Sequence, residues 1–367
     1  MERKYPVRSI LATVIMTAML AAPSGAYALS VHVPTVPHET GRQLIESSEY
    51  LGLTEASDLA RQGQYAQSLP YLIEVVEKNP INILGQFNLG AAYLELAKQS
   101  TMREQQAVFL DQAEQSFERV RDLNPDLTLT YFKLGKIALM RGDLEGARKQ
   151  YEAGLEVEPK NAALVFNLAR IYDQAGKRDE AMQAYRRTIE SDPRFIYAYN
   201  NLALLYEEKQ DFVSAEKLYK QALKKDKNYN LARLNLGNLY AATGRYEDAR
   251  KVLTEAQLRE PDNAWVYYYT GNMYLRMSNY NQAVSAYNRA VTLNPNHAPT
   301  YYLLAVSLSK LKRMDEALQA SLQYVQIAPD GEYAKELKSL IMAVKLSQSG
   351  GLYLVPAPAK VHLEEKP

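Results

Sequence analysis

Seven positions spaced 34 residues apart, Pro125, Pro159, Pro193, Lys227, Pro261, Pro295 and Pro329, punctuate this chain, and only Lys227 breaks the residue type. A period of that length describes a unit too small to bury its own apolar side, so neighbouring units must stack. The copy from Ala162 to Phe195 reads as two helices folded back on one another. Ala169 and Ala181 stand where the pair must approach closely. Leu168, Tyr172 and Tyr185 supply bulk at helical spacing, and Pro193 ends the second helix.

The small residues keep the same register throughout. The eighth position reads Ala56, Gly90, Gly135, Ala169, Ala203, Gly237, Gly271 and Ala305. The twentieth reads Ser68, Ala113, Ala147, Ala181, Ala215, Ala249, Ala283 and Ala317. With a Tyr or Leu at the eleventh position and Pro at the thirty-second, the pattern resembles the tetratricopeptide repeat from Glu49 to Gly331. The resemblance implies an all-α fold, a right-handed α-solenoid of about eight helix-turn-helix repeats. An array grows in one dimension, so the 367 residues make one elongated domain rather than several globular ones.

In chain order, Arg3, Lys4 and Arg8 precede an apolar run from Ile10 to Ala22, and Ala26-Tyr27-Ala28 offers an A-x-A cleavage site. Residues 1–28 read as a signal peptide, short in its apolar run for spanning a bilayer, and predict a periplasmic or secreted protein without a stable membrane span after cleavage, the alternative being an uncleaved anchor that places the repeats on the same side. Residues 29–48 are a linker carrying Pro34 and Pro37 and the start of the first helix; residues 49–331 are the repeats. Repeat two is longer than the period, with Pro80 and Pro125 separated by 45 residues and the insertion falling at about 97–112. Thr101 and Glu104 form a capping-box pattern, which predicts that the second helix of this unit starts early and projects beyond its neighbours. That projection reads either as a lengthened helix pair or as a docking knob. Gly142, Gly176 and Gly244 suit left-handed turns between helices, whereas Gln210, Ser278 and Lys312 replace glycine and predict turns of another construction. In repeat eight Ser321 stands where Tyr is usual, and Tyr324 where a small residue is usual. Residues 332–347, with Tyr333, Leu337, Leu340, Ile341 and Val344, predict an amphipathic capping helix; residues 348–367 read as a disordered tail.

Lys plus Arg number 43 and Asp plus Glu 42, a balance that disfavours a nucleic-acid partner held by long-range charge. Cysteine is absent, which removes disulfides, thiol catalysis and thiolate metal sites. The four histidines, His32, His38, His297 and His362, have no metal-binding spacing, and no phosphate loop or serine elbow is present. Catalytic, cofactor and metal sites are therefore not expected.

In the tetratricopeptide family the first helix of each unit lines a concave groove, and the resemblance places the partner-binding residues there. Fifth positions would form an apolar stripe of Phe87, Phe132, Phe166, Asn200, Leu234, Tyr268 and Tyr302. Sixth positions are Asn88, Lys133, Asn167, Asn201, Asn235, Tyr269 and Leu303. Asn167, Asn201 and Asn235 resemble the asparagine ladders by which some relatives hold a peptide backbone, since Asn offers both donor and acceptor. Asn238 and Asn272, at ninth positions, would extend that track. Lys133, Lys136 and Arg170 are basic groups on the same face, but not in the register of the family's carboxylate clamp. The expected function is an exported scaffold or assembly factor that binds a protein or peptide segment in envelope biogenesis or secretion. Its rivals are a self-assembling structural protein, which would be a homo-oligomer, and a regulatory subunit of an envelope enzyme.

Overall fold

A computed structural model describes residues 48–348. The signal segment, nearly all of the linker and the tail from residue 349 lie outside the described residues. Among the described residues there are seventeen helices and no strand. The chain divides into two compact units, residues 1–184 and 185–367, with the boundary inside α8.

Unit 1 contains α1 (Ser48–Arg61), α2 (Tyr65–Lys78), α3 (Ile83–Gln99), α4 (Arg103–Leu123), α5 (Thr128–Met140), α6 (Leu144–Val157), α7 (Ala162–Gln174) and the start of α8 (Arg178–Ser191). Unit 2 contains the end of α8, then α9 (Ile196–Glu208), α10 (Phe212–Lys225), α11 (Asn230–Ala242), α12 (Tyr246–Arg259), α13 (Ala264–Arg276), α14 (Tyr280–Leu293), α15 (Ala298–Lys310), α16 (Met314–Ile327) and α17 (Ala334–Gln348). Odd-numbered helices up to α15 open a pair and even-numbered helices close it. Within each unit a helix packs on its pair mate and on the opening helix of the next pair.

The small residues at the eighth position have a definite opponent. A Cβ built on Gly135 would lie 2.3 Å from the Tyr151 ring, and one on Gly271 would lie 2.4 Å from the Tyr287 ring. Both rings come from the closing helix and are sealed from solvent. A bulky side chain on one helix thus requires a bare backbone on the other, and this pairing recurs along the array. Burial of such a large side chain supplies about 1.5–3 kcal/mol each, enough across several repeats to hold helices too short to persist alone.

The turns between paired helices correct one expectation. Gly142, Gly176 and Gly244 have φ of 80°, 73° and 78°, but Gln210, Ser278 and Lys312 occupy the same left-handed region at 60°, 58° and 60°. These turns are not built differently. The stacking on either side imposes the conformation, and the side chain at that point bears the strain.

The lengthened pair also differs from expectation. The extra residues go to both helices: α3 has 17 residues where α5 has 13, and α4 has 21 where α6 has 14. Thr101 is not the N-cap, since α4 starts after Met102, which makes no side-chain cap bond. Ser100 instead donates from Oγ to the Met102 carbonyl at 3.1 Å. The extension is packed: Leu94, Ala97 and Leu110 are buried, and the Tyr93 and Phe109 rings stack at 6.2 Å.

Between repeats, a fourth-position tyrosine fastens the proline turn. The Tyr131, Tyr199 and Tyr267 hydroxyls donate to the carbonyls of Pro125, Pro193 and Pro261 at 2.9, 3.1 and 2.8 Å. Where Lys227 replaces the proline, Arg233 replaces the tyrosine and donates to the Lys227 carbonyl at 2.5 Å. At the far end, Ser321 and Tyr324 exchange bulk. Tyr324 accepts at its hydroxyl from the Tyr333 backbone N–H at 3.1 Å, while Tyr333 stacks on Tyr302 at 3.9 Å. Leu337, Leu340 and Val344 of α17 join the core of unit 2.

Candidate functional site

The opening helices carry every side chain that the sequence nominated for partner binding. Their fifth positions do not form one exposed stripe. Phe87, Leu234, Tyr268 and Tyr302 are buried, and Phe87 meets the Phe117 ring edge-on at 5.3 Å. In these repeats the fifth position turns toward the closing helix and serves the core. Only Phe132 and Phe166 of this apolar set remain half-buried. The sixth-position Tyr269 is buried too, at 1% exposure.

The amides are placed differently from a free ladder as well. Asn167 donates from Nδ2 to the Ala163 carbonyl of its own helix at 2.7 Å. In unit 2 the amides bond to each other. Asn235 Nδ2 donates to Asn200 Oδ1 at 2.9 Å, Asn200 Nδ2 to Asn201 Oδ1 at 3.3 Å, and Asn201 Nδ2 to the Tyr185 hydroxyl at 3.2 Å. Asn200 and Asn235 are buried. This chain satisfies polar groups that burial would otherwise penalise, so these residues tie α9 and α11 together. Asn272, at 0% exposure, accepts at Oδ1 from the Tyr287 hydroxyl at 2.8 Å. Its Nδ2, and Asn238 Oδ1, are buried without a hydrogen-bond partner. Asn88 is half-buried.

In unit 1 the basic residues concentrate. Lys133 on α5 is 8% exposed. Burial, then the ammonium charges of Lys136 and Lys98, bring its pKa down to about 8, opposed only by Glu95. Lys136 is lowered by the same burial and by Lys98, which lies within hydrogen-bonding reach. Lys98 itself donates to Glu95. Lys98 and Glu95 were not singled out from sequence. Glu95 is the thirteenth position of its repeat, counted from Gly90 at the eighth, whereas Lys98 lies where the insertion begins and the 34-residue register lapses; the approach of Lys98 to Lys136 on α5 reveals the group. Arg170, on α7, is exposed.

Clefts elsewhere have a different lining. One of ≈480 Å³ is bounded by Tyr267, Thr270 and Tyr274 of α13 and by α14, and one of ≈330 Å³ by Tyr199, Leu202 and Tyr206 of α9 with α8 and α10. Neither uses the fifth, sixth or ninth positions. Among the described residues no group of His, Cys, Asp or Glu is arranged to hold a metal ion. No helix there is long and apolar enough to cross a membrane.

Family models described as tetratricopeptide repeat match residues 53–98 and 106–153, and residues 138–205 and 206–267, together more than half of the chain. The chain belongs to the tetratricopeptide repeat family. A model described as anaphase-promoting complex, cyclosome, subunit 3 matches residues 254–323. Among solved structures, a tetratricopeptide repeat protein from Parabacteroides merdae is 21% identical with a TM-score of 0.54, covering 69% of this chain and 98% of its own. The Cut9–Hcn1 hetero-tetramer of the APC/C gives 18% identity and a TM-score of 0.55, covering 86% of this chain and 61% of the other. Yeast Tom70 gives 16% and 0.55, covering 88% and 67%. These likenesses concern the fold. Comparison with curated proteins returns no match. Like other tetratricopeptide arrays, the chain is a scaffold for protein–protein interaction.

Proposed function

We propose that this chain is an exported scaffold that binds a segment of a partner protein on the face formed by its opening helices, in envelope biogenesis or secretion. The observation that carries the binding mode is the run of tetratricopeptide repeats itself; within unit 1 the successive opening helices α5 and α7 bring Phe132, Phe166 and Arg170 toward the surface one repeat apart, a spacing suited to an extended or helical segment. Export is supported by the basic flank, the apolar run and the Ala26-Tyr27-Ala28 site. Proteins of this fold are generally scaffolds rather than enzymes, and binding energy rather than chemistry is the expected output.

Two measurements test the reading. Capture from an envelope extract by the wild type should yield a partner that is lost with Arg170→Glu, yet kept with Val213→Asp on α10, an exposed control outside the opening helices. Equal loss or equal retention in both variants argues against this face. For export, the mass of the protein recovered from the envelope fraction should correspond to a chain beginning at Leu29; an intact chain confined to the cytosol contradicts export.

A further inference from the structure

Lys133 is the anomaly of the described residues. Its stem is sealed between helices, yet its ammonium has neither an ion pair nor a hydrogen-bond acceptor. Lys133 keeps 8% of its surface accessible, and its Nζ is not fully sealed. Removing a charge from water without a counter-charge is costly, and apolar residues of the same volume would serve the core better. Two more ammonium groups, Lys136 and Lys98, converge on it, and the one carboxylate present, Glu95, is already held by Lys98. The cluster therefore keeps an excess of positive charge at a partly dry location, where an anion gains more than it would on the surface. Half-buried Phe132 precedes Lys133 on α5, and Phe166 holds the equivalent position on α7.

We propose that Lys133, Lys136 and Lys98 form the subsite for a side-chain carboxylate of the bound segment, so that the partner presents an Asp or Glu beside an apolar residue. This rests on the peptide-binding reading above and narrows it. A monoanionic carboxylate fits better than a phosphate dianion, because Glu95 remains within the cluster and repels a second negative charge. Lysines are point charges on flexible stems, able to meet a carboxylate without the fixed fork geometry of arginine. The sealed Lys133 fixes the location, and the more exposed Lys136 and Lys98 adapt around the guest.

The test selects random twelve-residue peptides by display against the full chain, in parallel with Lys133→Met, which keeps the unbranched stem and removes the charge. Peptides selected on the wild type should carry Asp or Glu at one fixed position; replacing it by Asn or Gln should weaken binding about tenfold. That difference should vanish on Lys133→Met, and on Lys136→Gln should shrink. Lys133→Met should melt at or above the wild-type temperature; if it melts lower, Lys136→Gln alone decides the charge dependence. Selected peptides without an acidic preference overturn the subsite and leave peptide binding standing. No selectable peptide at all overturns both. Displacement of the acidic peptide by low millimolar inorganic phosphate, with the phosphate itself bound in a Lys133-dependent way, shows a free-anion site and also overturns the proposal.

Discussion

Arg233 shows how a single residue can be read only with its partner. In three repeats a tyrosine hydroxyl fastens a proline carbonyl; in the repeat that loses its proline, a guanidinium reaches the Lys227 carbonyl instead. The buried guanidinium is the more expensive solution, because desolvation lowers its pKa and its carboxylate neighbour Glu255 stands 3.7 Å away. Changing Lys227→Pro together with Arg233→Tyr should therefore raise stability by about 1 kcal/mol in urea unfolding, while Arg233→Tyr alone should gain less. Gln210→Gly, Ser278→Gly and Lys312→Gly should each stabilise by about 0.5–1 kcal/mol by relieving a left-handed backbone, whereas Gly142→Ala should destabilise by about the same amount. Lys133 makes a pH prediction. The unfolded chain holds that proton up to the ordinary value of 10.5, and the folded chain only up to about 8, so between these values the unfolded state binds more protons. Stability consequently rises with pH across that window, by up to about 3 kcal/mol from this group. Urea midpoints should show Lys133→Met more stable than the wild type at pH 7, with the advantage fading toward pH 10.5. An advantage independent of pH contradicts the assignment.

At the scale of the element, the helices and their pairing were legible because they repeat: small residues at two fixed positions in all eight units, and proline at a third in all but the one that carries Lys227, declare a helix hairpin each time. What sequence could not resolve was the rotation of each opening helix. A fifth-position Phe points into the core at Phe87 and remains half-buried at Phe132, because the bulk opposite changes from repeat to repeat. The asparagines misled for a related reason: an amide suits a peptide backbone and another amide equally well, and Asn200 and Asn235 found each other. The terminal helix is a clearer case. Tyr333 joins α17 to the array through the Tyr302 stack and the Tyr324 hydroxyl, so Tyr333→Ala should cost about 3 kcal/mol. Hydrogen exchange should then show α17 opening before α13. Uniform loss of protection across unit 2 contradicts a locally docked helix.

For the whole molecule, nearest-neighbour packing within each unit makes stability a chain of local terms rather than the property of one core. Phe117→Ala, which removes a sealed ring from unit 1, should cost about 3–5 kcal/mol there. Exchange protection should fall first in α3 and α4 and least in α13 and α15; simultaneous collapse everywhere would favour a single cooperative block. The irregular second pair obeys a rule of its own. Its added residues, four in α3 and seven in α4, amount to about one and about two helical turns, a total of about three whole turns. Each helix therefore gains close to a whole number of turns, which keeps Leu94 and Ala97 of α3 and Leu110 and Phe117 of α4 on the buried side of the pair. Lengthening either helix by about half a turn more would carry its added residues toward water; the pair can lengthen only in quanta set by the α-helix.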